Sequence, residues 1–250
     1  HAGHMSLVNK AVRENDFTVV SIYINPTQFG PDEDLNKYPR DLDTDKKLLQ
    51  QSGVDLLFFP SDKEMYSDNH STWVKNSREA RILCGRSRPG HFTGVLTIVL
   101  KLLHIVRPGC AYFGKKDFQQ LFLIKKMTVD LNLPVIIKSL PIVREKTGLA
   151  LSSRNDYFTP ADRAQAAFVY RILSALREQV IQGNIMKYKD LLKFVKKKIK
   201  LDKPAKLDYF KIVDKRTLHI VNRADQWAVL LIAVYFKGVR LIDNIEIKDD

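Results

Sequence analysis

The chain has 250 residues, 45% hydrophobic and 28% charged, with a net charge of +13; this is the make-up of a globular protein with one large domain or two modest ones. Its longest apolar run, residues 228–236, is too short for a membrane-spanning helix, and no charged start precedes an apolar stretch as in a secretory signal. Two cysteines, Cys84 and Cys110, neither staple a fold nor match a metal spacing, so a reducing cytoplasm without membrane attachment is the expected setting.

In chain order, His1-Ala2-Gly3-His4 comes first and reads as a turn. Its glycine admits a phosphate and its imidazoles can bond phosphate oxygens. Gly3-His4-Met5 is also what a cleaved expression tag leaves behind. Residues 17–25 (FTVVSIYIN) read as a strand buried on both faces. The polar turn after it, Asn25-Pro26-Thr27-Gln28-Phe29-Gly30, offers two amides where open α/β sheets bind ligands, or is a plain turn. Residues 41–53 predict a helix closed by glycine, and 54–60 a short buried strand. Arg88 and His91, in Ser87-Arg88-Pro89-Gly90-His91-Phe92, lie just ahead of a helix over 94–107 that Pro108 stops. An arginine at a helix start attracts anions, although taken alone the segment reads more readily as a structural loop than as a site.

Residues 110–114 predict a strand, 117–131 a helix and 135–140 another strand. Between the first two stand Gly114, Lys115, Lys116 and Asp117, with Gln120 a turn further on. A glycine at the strand end permits close phosphate approach, a lysine can neutralise triphosphate charge, and Asp117 could cap the helix or help hold a metal. The spacing is not that of a Walker A loop, and a capped helix with solvated lysines is the plainer alternative. Leu151, Ser152, Ser153, Arg154 and Asn155 form a polar loop able to cradle β- and γ-phosphates, or a linker turn. Thr159 and Pro160 open a long helix to about residue 182. A lysine-rich amphipathic helix follows within 187–206. Short strands are expected near 207–213 and 218–221, then a hairpin, 228–236 and 239–247, turned at Lys237-Gly238.

Strands spaced by helices predict a doubly wound, Rossmann-like parallel sheet in residues 1–143, and helices followed by antiparallel strands a smaller α+β domain in residues 144–250. The basic charge suits anionic small substrates, nucleic acid, or a merely soluble surface. The lysine-rich helix has no interleaved aromatic platform for base stacking, which favours a solvated face over a nucleic-acid site. No nucleophile sits beside a base, and no Cys/His metal set is present. The pattern fits chemistry done by positioning and charge, as in nucleotidyl transfer.

Taken together, HAGHMSLV, NPTQFG with DLNKYPRD, GRSRPGHFTGV, YFGKKDFQQL and LALSSRN, with a weaker match at RLIDN, resemble the pantothenate synthetase family of the HxGH nucleotidyltransferases. That superfamily is related to class I aminoacyl-tRNA synthetases, whose lysine-serine loop Leu151, Ser152, Ser153 and Arg154 would match. The resemblance implies an ATP- and magnesium-dependent ligase that joins pantoate to β-alanine through a pantoyl adenylate and releases AMP and pyrophosphate. ATP would be bound by His1, Gly3, His4, Gly114, Lys115, Lys116, Asp117, Val143, Leu151, Ser152, Ser153 and Arg154. His1, His4 and Lys116 would be catalytic, with His4 the proton donor and Lys116 the main phosphate lysine. Gln28 and Gln120, joined by Asn25, Arg88 and His91, would serve pantoate and β-alanine. Asp45 would be a magnesium candidate. The resemblance further implies a homodimer built through the first domain, the second acting as a lid. Family members carry a strand and a Pro-Thr-Met-Gly segment ahead of the histidines; this sequence begins at His1, so its sheet is expected without that strand. The competing activity is that of another HxGH enzyme, a nucleotidylyltransferase that keeps AMP on its product.

Overall fold

The structure is a computed structural model that describes residues 1–31, 33–184, 186–201 and 205–248; positions 202–204 of the lysine-rich stretch lie outside the described residues. The chain divides into two compact units, His1–Lys115 with Gln119–Pro141, and Lys116–Phe118 with Ile142–Asp250.

The first unit opens with α1 (Ala2–Glu14), where the sequence suggested only a turn. Gly3 in its first turn is a poor helix former, and Val8 is its one buried residue among those described, so the apolar period is faint. Side chains fasten its far end: Asn15 donates to the Tyr112 hydroxyl at 2.8 Å, which donates to Glu14 at 2.9 Å, and Lys138 pairs with Glu14 at 2.9 Å. Hydrogen bonds from Lys10, Lys138 and Tyr112 hold the Glu14 carboxyl down at about 2.

Next come β1 (Val19–Ser21), α2 (Leu42–Gln51) and β2 (Leu56–Phe58). β1 and β2 pair in parallel with Val19 opposite Leu56, joined through α2 as a βαβ crossover. Asp41 caps α2 by accepting from the Thr44 N–H at 3.1 Å, and Gly53 turns the chain out at φ +78°, as the glycine stop predicted. Two short helices follow, α3 (Asp62–Met65) and α4 (Cys84–Ser87), then the longer α5 (His91–Val106). β3 (Cys110–Gly114), α6 (Phe118–Asp130) and β4 (Ile136–Leu140) repeat the crossover, with Cys110 opposite Ile136. The sequence suggested a strand buried on both faces at 17–25 and a short buried strand at 54–60. β1 to β4 are only half-buried, and Leu56 and Ile136 are exposed, because each parallel sheet has two strands and every strand keeps an open edge.

The second unit holds α7 (Pro160–Ala166), α8 (Phe168–Ile181) and α9 (Tyr188–Leu201) beside an antiparallel sheet of β5 (Ala205–Asp214), β6 (Ala228–Phe236) and β7 (Val239–Glu246) in the order β5-β6-β7. The expected single helix is two, broken at Ala167, where ψ opens to −8°. Thr159 and Asp162 form the capping box in front of it, with Pro160 at the first helical position. β6 is central and buried at every position but Tyr235. Lys237 and Gly238 take φ of +47° and +82°, the signs of a two-residue hairpin turn. The strand expected at 218–221 is absent. Leu218, fully buried at φ +58°, bonds back to Asp214 and leaves one bridge, Val213 with Ile220. In α9, Leu191, Val195 and Ile199 point inward, while Lys193, Lys196, Lys197, Lys198 and Lys200 are exposed, as the amphipathic pattern required. The contiguous core of this unit includes Phe168, Leu173, Leu191, Phe210, Ile232 and Phe236.

Candidate active site

His1 and His4 occupy the first turn of α1. His1 caps the helix: its Nδ1 accepts from the His4 N–H at 3.3 Å, and the two exposed rings stack 3.8 Å apart. Gly3 lies between them and its carbonyl accepts from Ser6. Two imidazoles and a helix start carrying partial positive charge make a site suited to an anion.

Beyond β1, Asn25 caps the 3₁₀ turn Pro26–Gln28. Its side chain is buried and satisfied. Nδ2 donates to the Gly94 carbonyl at 3.1 Å, while Oδ1 accepts from Thr27 Oγ1 at 2.9 Å and Tyr66 OH at 3.0 Å. Arg88 pairs with Glu33 through both carboxylate oxygens, one at 2.6 Å, and also approaches the Gln28 carbonyl at 3.4 Å. His91 meets that same carbonyl through Nδ1 at 2.7 Å and Arg88 through Nε2 at 3.1 Å. Against the carbonyl, Nδ1 is placed to donate, and against the arginine Nε2 is placed to accept. Burial works to raise the Glu33 carboxyl, but hydrogen bonds and charge from Arg88 prevail and hold it below the usual range. The anion-attracting arginine of the sequence reading is thus turned onto an internal acid, and Asn25, Arg88 and His91 together fix the loop that carries Gln28.

Gln28 and Gln120 are half-buried, and neither side-chain amide bonds any described residue. The neighbouring Gln119 differs. It is buried, donates to the Glu79 and Ile82 carbonyls at 2.8 Å each and accepts from the Cys84 N–H at 3.0 Å. One glutamine builds the unit; the side-chain amide of the next bonds no described residue. Gly94 is a further requirement: a Cβ there would come within 2.5 Å of the Thr27 carbonyl oxygen, so only glycine lets α5 approach the Gln28 turn.

Gly114 ends β3, opposite Leu140, and Lys115 opens the 3₁₀ turn Lys115–Asp117. In the second unit Lys116 lies 3.6 Å from Asp117, and its carbonyl accepts from Asn244 Nδ2 at 2.9 Å. The Leu151 N–H donates to the Val143 carbonyl at 3.0 Å, tying two of the expected ATP residues. Ser152 caps the 3₁₀ helix Ser153–Tyr157 by accepting from Arg154 N–H at 3.3 Å. The Ser153 hydroxyl makes no hydrogen bond among the described residues. Asn155 is buried and donates to the Ala150 carbonyl at 3.0 Å. Asp45 lies one turn into α2 without a bond to any other candidate, and no three His, Cys, Asp or Glu side chains converge for a metal among the described residues.

Sequence reasoning missed Glu33, Gly94, Asn244 and the structural task of Gln119. Glu33 and Arg88 are 55 positions apart, and no local pattern links them. Asn244 lies in the RLIDN segment, whose match was the one available signal.

A parallel α/β unit with polar turns beyond its strands has the layout of a ligand-binding α/β enzyme. The model of the family described as pantoate-beta-alanine ligase matches residues 1–246. The pantothenate synthetases of Acetivibrio thermocellus and Thermosipho africanus are each 48% identical over 245 residues, covering 98% of this chain and 87% of each relative. The crystal structure of the Thermus thermophilus pantothenate synthetase is 44% identical with a TM-score of 0.95, covering 100% of this chain and 90% of that one. A Francisella tularensis pantoate-beta-alanine ligase complexed with beta-gamma ATP and beta-alanine is 37% identical with a TM-score of 0.80, covering 100% of this chain and 87% of that one. This chain belongs to the pantoate-beta-alanine ligase family.

Proposed function

We propose that the protein condenses pantoate with β-alanine at the expense of ATP. A carboxylate oxygen of pantoate attacks the α-phosphorus, and the bond to pyrophosphate breaks. The deprotonated amine of β-alanine then attacks the acyl carbon, a proton leaves the nitrogen, and AMP departs. The observation that carries this reading is the family match across residues 1–246.

The residues take roles that suit their surroundings. His1 and His4, at the positive end of α1, donate to phosphate oxygens, with His4 supplying a proton. The amides of Gln28 and Gln120 grip the hydroxylated acid; both are neutral, which favours a small polyol acid over a phosphorylated substrate. Asn25, Arg88 and His91 hold the Gln28 turn in place. Lys116 neutralises triphosphate charge beside Gly114, Lys115 and Asp117, with Val143, Leu151, Ser152, Ser153 and Arg154 as further ATP contacts. Magnesium arriving on the triphosphate would keep phosphate and water ligands, as this ion prefers; Asp45 belongs to no group of three or more such ligands among the described residues. A homodimer is the assembly we favour: the first unit leaves Phe17, Ile105, Val129 and Ile136 exposed, apolar surface that a second copy could cover. No described helix is long and apolar enough to cross a membrane, and the free thiols of Cys84 and Cys110 suit a reducing cytoplasm.

The test is stoichiometric. With ATP, pantoate and β-alanine all present, AMP, pyrophosphate and pantothenate should form in equal amounts. Absence of AMP removes the proposal, and a product that retains the adenylate identifies a nucleotidylyltransferase instead.

A further inference from the structure

The short segment Lys116–Phe118 groups with the second unit, although β3 before it and most of α6 after it belong to the first. A specific bond accompanies that grouping. Asn244, on β7, donates its side-chain amide to the Lys116 carbonyl at 2.9 Å. Asn244 is 4% exposed and its neighbour Asp243 is 5% exposed. Asp243 receives both Arg144 nitrogens, at 2.7 and 2.9 Å, and its Oδ1 also accepts the Asn244 N–H at 2.8 Å. Arg144 is held in turn by the Gly148 carbonyl at 3.1 Å and the face of Tyr170 at 3.9 Å. Gly148 has no room for a side chain, since a Cβ would meet Tyr170 at 2.4 Å.

A buried asparagine beside a buried aspartate, itself paired with a half-buried arginine, is a costly way to fill space; apolar side chains would pack there at lower cost. The arrangement becomes intelligible through what the amide holds. A lysine ammonium rides on a flexible four-carbon stem, and displacing a charge-stabilising group by about 1 Å can cost roughly a hundredfold in rate. Fixing the backbone beneath Lys116 removes one source of that displacement.

We propose that Asn244 is a positioning residue for phosphate chemistry, its amide joining the Lys116 backbone to a β7 edge braced by the pairing of Arg144 with the buried Asp243. The inference rests on the phosphate role given to Lys116 above.

A mutant cycle on the full chain tests it, with wild type, Asn244→Ala, Lys116→Ala and the double variant assayed on ATP, pantoate and β-alanine. Loss of the amide should lower kcat/KM for ATP roughly tenfold, the scale of one broken hydrogen bond. KM for β-alanine should stay unchanged, and the double variant should be no slower than Lys116→Ala. Asn244→Asp, nearly the same shape but without the donor, should reproduce the loss. Additive effects, an Asn244→Ala rate within about twofold of wild type, or unfolding of both Asn244 variants by circular dichroism would each overturn the inference by making Asn244 scaffold alone. A Lys116→Ala enzyme with a normal rate would instead remove the phosphate assignment itself, an outcome read from that variant independently of Asn244.

Discussion

The two sheet systems of this molecule solve different problems. In the first unit, short parallel strands pair two by two with open edges, and Gln28 in a 3₁₀ turn and Gln120 in the first turn of α6 keep their amides unspent among the described residues. In the second, a central strand buried at all but one position sits within a single apolar core. The difference teaches where each property resides. Chemical freedom sits beyond lightly buried strands, and mechanical stiffness sits in the antiparallel sheet to whose outer strand the backbone of Lys116 is tied.

Phe236→Ala should break this contrast most severely. The ring is fully buried, 5.5 Å from Phe158 and 5.8 Å from Phe168, so its removal should cost about 3–5 kcal/mol. Denaturant titration measures this, and a loss below about 1 kcal/mol would deny the second unit its stiffness. Lys116→Ala should leave folding intact and remove about 3 kcal/mol of transition-state stabilisation, a hundredfold or more in kcat/KM; steady-state kinetics decide it. Gly94→Ala should cost roughly 1–3 kcal/mol, because the Thr27 backbone must shift to admit a methyl group. As that shift displaces Gln28, KM for pantoate should rise more than KM for ATP; equal rises would detach the turn from substrate binding.

The smallest effect concerns how α1 is fastened. The Glu14 carboxyl is lowered in the folded chain from 4.5 to about 2. A lowered acid stabilises fully above its unfolded value, and that contribution fades as pH drops from about 4.5 toward 2. Glu14→Gln should therefore lower Tm slightly at pH 7 and leave it unchanged near pH 2; the reverse order in a pH-resolved melt would refute this account.

What the sequence could show followed the range of the interactions. Thr159-Pro160, Lys237-Gly238 and the glycine stop at Gly53 act within a few residues, and each was readable from residue type. β3 was legible to the residue because a strand lies between a proline-glycine stop and a helix start. The break at Ala167 was not, since nothing in a run of good helix formers announces it. The candidate site divides the same way. Its polar loops stood out by composition, but whether a polar group is spent inside the protein depends on partners far along the chain, such as Glu33 for Arg88 and the Ile82 carbonyl for Gln119.

The adjacent glutamines of α6 carry one more implication. Consecutive helical residues point about 100° apart, which is why Gln119 is buried and Gln120 is not. Inserting one residue between Gly114 and Phe118 would rotate the following sequence by about that angle and swing Gln119 away from the Glu79 and Ile82 carbonyls that it bonds. For folding, the length of this turn is therefore constrained separately from its side chains, whatever a replacement such as Lys116→Ala costs in activity.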